Sequence, residues 1–469
     1  MLVTLLGLSW VAYLGGASVW IVLQRRAPAA TMAWILSLAV LPGIGVVFYF
    51  VFGPRRITRS KRRRLRARAR LGEALERAHA ASHHTPPPHA LQLVKLGATA
   101  DGMPLSSCSR VDLLVDGART YDSICEAIAS ARHHVHLEYY IFVPDAVGER
   151  IMDALVERAR AGVQVRLLVD AVGSARLKRR HRARLRAAGV EVARFHRMRF
   201  WTFKPLINLR THRKIVVVDG SVGFTGGINV TIDHDERLNP RAYRDTHIRL
   251  EGLAVRWLQI IFLEDWEYAT GRSPTDRAYF PDVAERGDHA VQIVASGPDS
   301  EHEPIKKMYF AAIAGAERRV LVRTPYLVPD EAMLTALTTA ALRGVDVRVI
   351  VPAQGDSRLV SAAARSYFVD LQRAGVRVYE YLPRMLHAKT LVVDEEFAAV
   401  GTANFDNRSF RLNFEVSAVV HGPEIAAELA QVFTTDLDAS REVKLGDPRR
   451  SRFVQRLGEA IARLMSPLL

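Results

Sequence analysis

The chain has 469 residues, 49% of them hydrophobic, and a formal net charge of +16. This length allows two or three domains with sizeable cores, and the positive charge is typical of proteins that contact polyanions such as nucleic acid or an anionic membrane. Only two cysteines occur, Cys108 and Cys125, which excludes a disulfide framework and a cysteine-based metal site.

Two long uncharged runs open the chain. The first, Leu2 to Leu23, has 22 residues, and the second, Ala27 to Gly53, has 27. About twenty helical residues span the hydrocarbon core of a bilayer, so we expect a membrane hairpin of two transmembrane helices over residues 1–54. A cleaved signal peptide is the alternative for the first run, but no basic residue precedes it. A buried core helix is the alternative for the second, which is long for one.

A strongly basic segment follows the second run. Ten Lys or Arg and no acid lie between Arg55 and Arg70, whereas the turn of the hairpin has two arginines. The positive-inside rule therefore predicts that this segment, and everything after it, is cytoplasmic. We interpret residues 55–90 as a basic juxtamembrane segment that attracts anionic lipid, followed by a linker. The HHTPPPH sequence in this linker has a metal site as its alternative interpretation.

From about residue 91 the chain repeats its own order of elements. A helix-like segment precedes the strand-like Val135 to Asp145 in the first half and Val320 to Asp330 in the second. A second helix and strand follow, ending in VQVRLLVD at Asp170 and in VDVRVIVP at Pro352. Strands that alternate with helices of about ten residues predict an α/β fold.

The repeat predicts two equivalent lobes, residues 91–272 and 273–469, that face each other across one site. The first half also carries what we interpret as a basic insert, with ten Lys or Arg between Arg176 and Arg199. Near the C-terminus, Phe453, Leu457, Ile461 and Leu464 form a helical apolar stripe. Core packing is our interpretation of this stripe, with contact to a membrane surface as the second.

The most informative repeat is HRKIVVVDGSVGFTGGIN, which is copied as HAKTLVVDEEFAAVGTAN 175 residues later. Side chains two apart in a strand lie on one face, so the His and Lys of each copy point together. The shared polar residues are His212, Lys214, Asp219 and Asn229 in the first copy, and His387, Lys389, Asp394 and Asn404 in the second.

Carboxylates recur after each copy, Asp245 in YRDTHIRLEG and Glu415 in NFEVSAVVHG. A carboxylate that accepts a hydrogen bond from one imidazole nitrogen fixes the tautomer and leaves the other nitrogen for chemistry. Glu138 is a further candidate on a repeated strand, although its counterpart is Arg323, so the repeat does not support it.

These residue types predict covalent phosphoryl chemistry on a phosphodiester. One imidazole attacks phosphorus while the other protonates the departing alcohol, and the phosphohistidine intermediate divides a difficult displacement into two steps. Lysine and asparagine side chains stabilise the non-bridging oxygens. We favour His212 as the nucleophile and His387 as the acid and base. This mechanism requires neither a metal nor another cofactor.

The repeated HxKxxxxDxxxxxxGxxN pattern resembles the signature of the phospholipase D superfamily. With the N-terminal hairpin, GPRR after it, GTANFDNRSFRLNFE and the closing LMSPLL, the chain is most similar to bacterial cardiolipin synthases. Thr402 stands where these enzymes usually have Ser. The resemblance implies two pseudo-symmetric phospholipase D-type α-β-α lobes with one active site, whose catalytic set is His212, Lys214, Asp219, His387, Lys389 and Asp394.

The resemblance also implies a reaction, partners and a location. Two phosphatidylglycerol molecules are joined into cardiolipin and glycerol is released, at the bacterial inner membrane, with the lobes on the cytoplasmic side. The expected partners are phosphatidylglycerol and the membrane, without nucleic acid, and a homo-oligomer is an option that the sequence leaves open. The superfamily also contains hydrolases, nucleases and other phosphatidyltransferases. Two spans argue against a nuclease, whereas water as the acceptor stays an alternative.

Overall fold

The computed structural model of the chain describes residues 2–24, 28–41, 43–46, 49, 72, 86, 88–195, 210–282, 287–446 and 453–468. The basic run from Arg55 to Arg70 and most of the HHTPPPH linker lie outside these residues, so the interpretations of both stay predictions. The described residues fall into two compact units, of which the smaller contains the N-terminal helices.

The smaller unit has two helices, α1 (Leu2–Val22) and α2 (Pro28–Val40). Ile21, Leu38 and Tyr49 form a small buried cluster, and the Tyr49 hydroxyl donates to Gln24 Oε1 at 2.8 Å. Within the described residues, no helix has both the length and the apolarity that a membrane crossing needs. The transmembrane hairpin therefore stays a prediction.

The larger unit is a mixed α/β structure. Its helices are α3 (Leu91–Asp101), α4 (Gly117–Ser130), α5 (Ala146–Arg160), α6 (Arg179–Ala187), α7 (Val255–Thr270), α8 (Pro304–Gly315), α9 (Glu331–Leu342), α10 (Arg358–Arg373), α11 (Asn407–Arg411), α12 (Pro423–Asp438) and α13 (Phe453–Leu464).

The strands of the first half are β1 (Ser106–Val115), β2 (His134–Tyr139), β3 (Gln164–Asp170), β4 (Glu191–Phe195), β5 (Arg210–Thr211), β6 (Lys214–Val218), β7 (Val222–Gly226) and β8 (Thr246–Gly252). Those of the second are β9 (His289–Ser296), β10 (Arg319–Arg323), β11 (Leu327–Val328), β12 (Asp346–Pro352), β13 (Arg377–Tyr381), β14 (Thr390–Val393), β15 (Phe397–Gly401), β16 (Phe405–Asp406), β17 (Asn413–His421) and β18 (Ser440–Glu442).

One sheet runs through both halves, in the order β18-β13-β12-β10-β14-β15-β17-β9-β1-β8-β7-β6-β2-β3-β4, with β5 paired to β17. Outward from the central pair β9 and β1, each half repeats the same sequence of strands. In each half three adjacent strands are parallel, β2-β3-β4 and β10-β12-β13, and the strand of the HxK motif is antiparallel to its neighbours. The second half adds β18, which pairs antiparallel with β13 at the edge. The predicted α/β fold with a repeated order of elements is therefore confirmed.

The interpretation of residues 176–199 as an insert is wrong. This segment contains α6 and β4, and the second half has α10 and β13 at the equivalent place. The helix escaped sequence analysis because its nine residues include five arginines, and Leu185 is its buried residue. Without an apolar face, α6 shows no helical periodicity.

The core-packing interpretation of the C-terminal stripe is also wrong. In α13 the side chains of Phe453, Leu457, Ile461 and Leu464 are 76%, 49%, 56% and 78% exposed. The helix instead packs against α10 through its other face, where Ala462 is buried and Arg463 pairs with Asp370 at 2.9 Å.

The two motif aspartates form the turns that follow β6 and β14. Asp219 and Asp394 have positive φ values of 49° and 53°. The Asp219 carboxylate accepts the backbone N–H groups of residues 132, 133 and 134, each at 2.8 Å. Asp394 accepts those of residues 317, 318 and 319. Each aspartate thus ties the end of its strand to the segment that leads into the neighbouring strand.

We expect Asp394→Ala to lower the free energy of unfolding by about 2–3 kcal/mol, because it leaves three backbone N–H groups without their charged acceptor. Glu395→Ala is the matched control, since its carboxylate pairs with Arg318 on the surface and should contribute less than about 1 kcal/mol. Urea denaturation of the purified protein measures both, and equal stabilities for the two variants would contradict this role for the turn.

Candidate active site

The two motif histidines lie where the halves of the sheet unit meet. The backbone N–H of His212 donates to Phe414 O at 2.9 Å, and that of His387 donates to Arg244 O at 2.7 Å. Strand β5, just before His212, pairs in parallel with the start of β17 in the other half. Each histidine is therefore anchored to backbone from the opposite half.

Each of the two carboxylates also contacts the histidine of the opposite half. His212 Nδ1 lies 3.0 Å from Glu415 Oε2, and His387 Nδ1 lies 2.7 Å from Asp245 Oδ2. All four side chains are buried. With Nδ1 of each ring held by a carboxylate, Nε2 is the nitrogen available for attack or proton transfer.

Both motif lysines are buried beside these rings. Lys214 Nζ donates to His212 O at 2.8 Å, and Lys389 Nζ lies 2.8 Å from His387 Nδ1. Burial, followed by repulsion from Lys389, lowers the pKa of Lys214 to about 7. Burial lowers the pKa of Lys389 to about 8, against the opposing effect of Asp245 and Glu415. At physiological pH both lysines are therefore close to the pH at which they lose their protons.

Burial also lowers the imidazole pKa values. For His212 the Glu415 carboxylate opposes this effect, and for His387 the Lys389 ammonium adds to it. Burial raises the pKa of Glu415, but the neighbouring His212 has the opposite effect, and the pKa of Glu415 is below its ordinary value. The free site therefore favours neutral imidazoles and an ionised carboxylate on His212.

The structure brings most, but not all, of the predicted site residues together. Asn229 and Asn404 follow β7 and β15 at the end of the sheet where the histidines lie, because Ile215 pairs with Thr225 and Thr390 with Val400. The motif aspartates described above lie at the opposite ends of β6 and β14. Each aspartate is seven residues after its histidine, with six residues between them, which corresponds to roughly 23 Å along an extended strand.

Glu138 is buried in a hydrogen-bonded network beside Thr211, the residue that precedes His212. Its carboxyl group forms a hydrogen bond with the Thr211 hydroxyl. Burial, and next the neighbouring Asp265 carboxylate, raise the pKa of Glu138 well above its ordinary value. Its counterpart Arg323 is also buried and pairs with Asp436 at 2.6 Å.

Sequence analysis missed His234, which lies beside the second histidine. Its ring centroid is 5.2 Å from that of His387, and its Nδ1 lies 3.5 Å from Asp245 Oδ2. The repeat gave no signal for it, because Ser409 occupies the corresponding position after Asn404. A polar residue near the site that belongs to one half alone cannot be recognised from internal duplication.

His234, Asp245 and His387 offer three ligand atoms within 4.8 Å of one another, so among the described residues this trio could hold a metal ion. The Lys389 ammonium lies 2.8 Å from His387 Nδ1, so a cation held by this trio would lie close to a second positive charge. This repulsion disfavours metal binding, and the geometry fits proton transfer better.

The comparisons with known proteins agree with this arrangement. The family model described as "Cardiolipin synthase, PLD-like domain" matches residues 124–237 and 309–437, and "Phospholipase_D-nuclease N-terminal" matches residues 16–54. A cardiolipin synthase of Geobacillus kaustophilus is 42% identical over 459 residues, 95% of this chain and 90% of that protein. Cardiolipin synthase 2 of Bacillus anthracis is 40% identical over 462 residues, with 96% and 88% covered.

Among solved structures, the phosphatidylserine synthase of Haemophilus influenzae Rd KW20 has the same fold. Its TM-score is 0.60 at 16% sequence identity, over 81% of this chain and 100% of that one. Because the family model covers more than half of the chain and the relatives align with nearly all of it, this chain belongs to the cardiolipin synthase family of the phospholipase D superfamily.

Proposed function

We propose that this protein transfers the phosphatidyl group of one phosphatidylglycerol to another, forming cardiolipin and glycerol. The observation that carries the proposal is the pair of crossed imidazole–carboxylate contacts, His212 with Glu415 and His387 with Asp245, beside two buried lysines. Relatives named cardiolipin synthase that align with nearly the whole chain support the same reaction.

In the first step, Nε2 of His212 attacks phosphorus, and the bond from phosphorus to the glycerol oxygen breaks. Protonated His387 gives its proton to that oxygen, so neutral glycerol leaves. The lipid phosphate favours protonation of His387, because its negative charge opposes the effect of the lysines. Lys214 and Lys389, with Asn229 and Asn404, stabilise the charge that grows on the non-bridging oxygens.

In the second step, a hydroxyl of another phosphatidylglycerol loses its proton to His387 and attacks the phosphohistidine. The P–N bond breaks, cardiolipin leaves, and both histidines return to their starting states. One phosphodiester replaces another, so the reaction needs no nucleotide. Asp219 and Asp394 act in this scheme by holding the ends of their strands, and Glu415 and Asp245 orient the rings.

We further propose that the reaction takes place at the cytoplasmic face of the inner membrane, with residues 1–54 as a hairpin and lobes near 91–272 and 273–469. Uncharged runs of 22 and 27 residues and the basic segment after them support this placement. The exposed apolar stripe of α13 suits an interfacial helix.

We expect His212→Ala to lower cardiolipin formation from phosphatidylglycerol at least about a thousandfold, because the nucleophile is lost. His302→Ala, an exposed histidine, is the control and should keep full activity. Lipid analysis of a cardiolipin-deficient host that expresses each variant measures this. Mass spectrometry of denaturant-quenched enzyme should find a phosphatidyl adduct in the wild type but not in His212→Ala. An adduct that persists in His212→Ala would contradict the assignment of the nucleophile.

Glu415→Gln is expected to lower kcat by about 10²–10⁴-fold, because the isosteric amide keeps the shape but loses the charge that orients His212 and stabilises its cation. Glu424→Gln changes a carboxylate whose side chain is 79% exposed and should have no effect. Initial rates in mixed micelles distinguish the two, and near-normal kcat in Glu415→Gln would remove the carboxylate from the mechanism.

The pH profile of kcat/KM should be bell-shaped. On the acid side, protonation of the free His212, whose pKa burial lowers from its ordinary value, stops attack; above about pH 7–8 the two lysines lose their protons and with them the attraction for phosphate. Lys214→Arg should move the alkaline limb upward, because arginine keeps its charge and the limb is then set by Lys389, whose pKa is about 8. A kcat/KM that still rises at pH 9 would contradict the role of the lysines.

A further inference from the structure

The duplicated halves differ in the loop that follows the third strand of each repeat, and the difference lies beside the site. The loops after β3 and β12 read DAVGSARL and PAQGDSRL, so Ser174 in the first half corresponds to Asp356 in the second. Ser174 is buried; its hydroxyl donates to Tyr140 O at 2.9 Å and accepts the N–H of Phe142 at 2.9 Å. The first-half loop is thus closed by its own hydrogen bonds.

In the second half the same position carries an exposed carboxylate. The Tyr326 hydroxyl donates to Asp356 Oδ2 at 2.6 Å, and Asp356 is otherwise turned to solvent. Tyr326 corresponds to Ile141 of the first half, so both partners of this contact are specific to the second half. Because the two halves differ at two positions that contact each other, we infer that the two sides of the site have different roles.

This pair lies on the His387 side of the site. Tyr326 immediately precedes β11, whose Leu327 pairs in parallel with Phe405 of β16, so Tyr326 lies beside Asn404. The ring of Tyr243, on the same side, is 5.6 Å from His387. The Asp356 carboxylate also lies close enough to act on Lys389, where it opposes the fall in pKa that burial causes.

Two hydrogen-bond acceptors on this side belong to Asn404 and Asp356. Asn404 is buried, and among the described residues its Oδ1 has no hydrogen-bond partner. By contrast, Oδ1 of Asn229 in the first half accepts the N–H of Ile141 at 3.3 Å. A buried amide oxygen without a donor and an exposed carboxylate, both near Tyr326, match a ligand that supplies hydroxyl donors.

The His212 side contains two guanidinium groups. The Tyr140 ring is 5.0 Å from that of His212; burial and next the Asp170 carboxylate raise the pKa of Tyr140, and Arg210 and Arg408 lie close enough to oppose that rise. Guanidinium groups suit phosphate oxygens, whereas carboxylate and amide oxygens suit hydroxyl groups. The two sides of the site therefore differ in the chemistry that they recognise.

We propose that Asp356, Tyr326 and Asn404 form a subsite for the polyol headgroup, which binds the free hydroxyls of the glycerol that leaves in the first step and of the glycerol headgroup that attacks in the second. The subsite rests on the proposed function, in which His387 exchanges protons with these alcohols. It gives the acceptor glycerol an advantage over water and over alcohols with one hydroxyl, since a second hydroxyl is hydrogen-bonded when the first one faces His387.

The test measures alcohol selectivity in the full-length protein. Wild type and Asp356→Asn in phosphatidylglycerol micelles receive equal concentrations of deuterated glycerol and 1-propanol, and mass spectrometry quantifies labelled phosphatidylglycerol and phosphatidylpropanol. We expect Asp356→Asn to lower the ratio of glycerol transfer to propanol transfer about tenfold, because one charge-assisted hydrogen bond is lost. The ratio of cardiolipin to phosphatidic acid should fall in parallel, as water competes better.

Two further variants and two opposing results define the outcome. Tyr326→Phe should change the ratio in the same direction by a smaller factor, since it loosens the carboxylate. Glu395→Gln, an exposed acid in the β14–β15 turn, should leave the ratio unchanged. Equal loss of glycerol and propanol transfer in Asp356→Asn would overturn the subsite alone. A wild-type protein that forms no cardiolipin and transfers phosphatidyl groups to neither alcohol would overturn the proposed function, and the subsite with it. Cardiolipin formation without transfer to glycerol would overturn the subsite alone.

Discussion

The site depends on one constraint: each imidazole of the two motifs is oriented by a carboxylate from the opposite half. His212 relies on Glu415 and His387 on Asp245, and the backbone contacts of both histidines cross in the same sense. The continuous sheet through β1 and β9 holds this crossing in place. A small shift of one half would separate both pairs at once, so the sheet is the element that fixes the geometry of the chemistry.

Charge balance explains how so many ionisable groups are buried together. Two ammonium groups and two carboxylates share one desolvated volume, where an isolated charge would cost several kcal/mol. The carboxylates offset the lysines, but burial still lowers the pKa of Lys214 to about 7 and that of Lys389 to about 8. In the proposed mechanism a bound lipid phosphate adds negative charge beside the lysines, so substrate binding and lysine protonation reinforce each other.

Much of this could be predicted from sequence, because duplication marks the residues that both halves need. It gave the α/β repeat and the four groups His212, His387, Asp245 and Glu415. The duplication could not predict that each carboxylate contacts the histidine of the opposite half, because the same spacing is compatible with a contact inside one half. The pairing of β5 with β17 decides between these two options. Features of one half alone, such as His234, left no repeated pattern. The arginine-rich α6 lacked the apolar periodicity that reveals a helix.

The crossed contacts also bear on how such an enzyme could arise. A chain with a single half would carry an imidazole and a carboxylate that cannot reach each other, because each is directed toward a complementary surface. Two identical copies related by a twofold axis would satisfy both needs simultaneously, as isologous interfaces do. Fusion of those copies into one polypeptide then frees the two sides to diverge, and Ser174 and Asp356 record such a divergence.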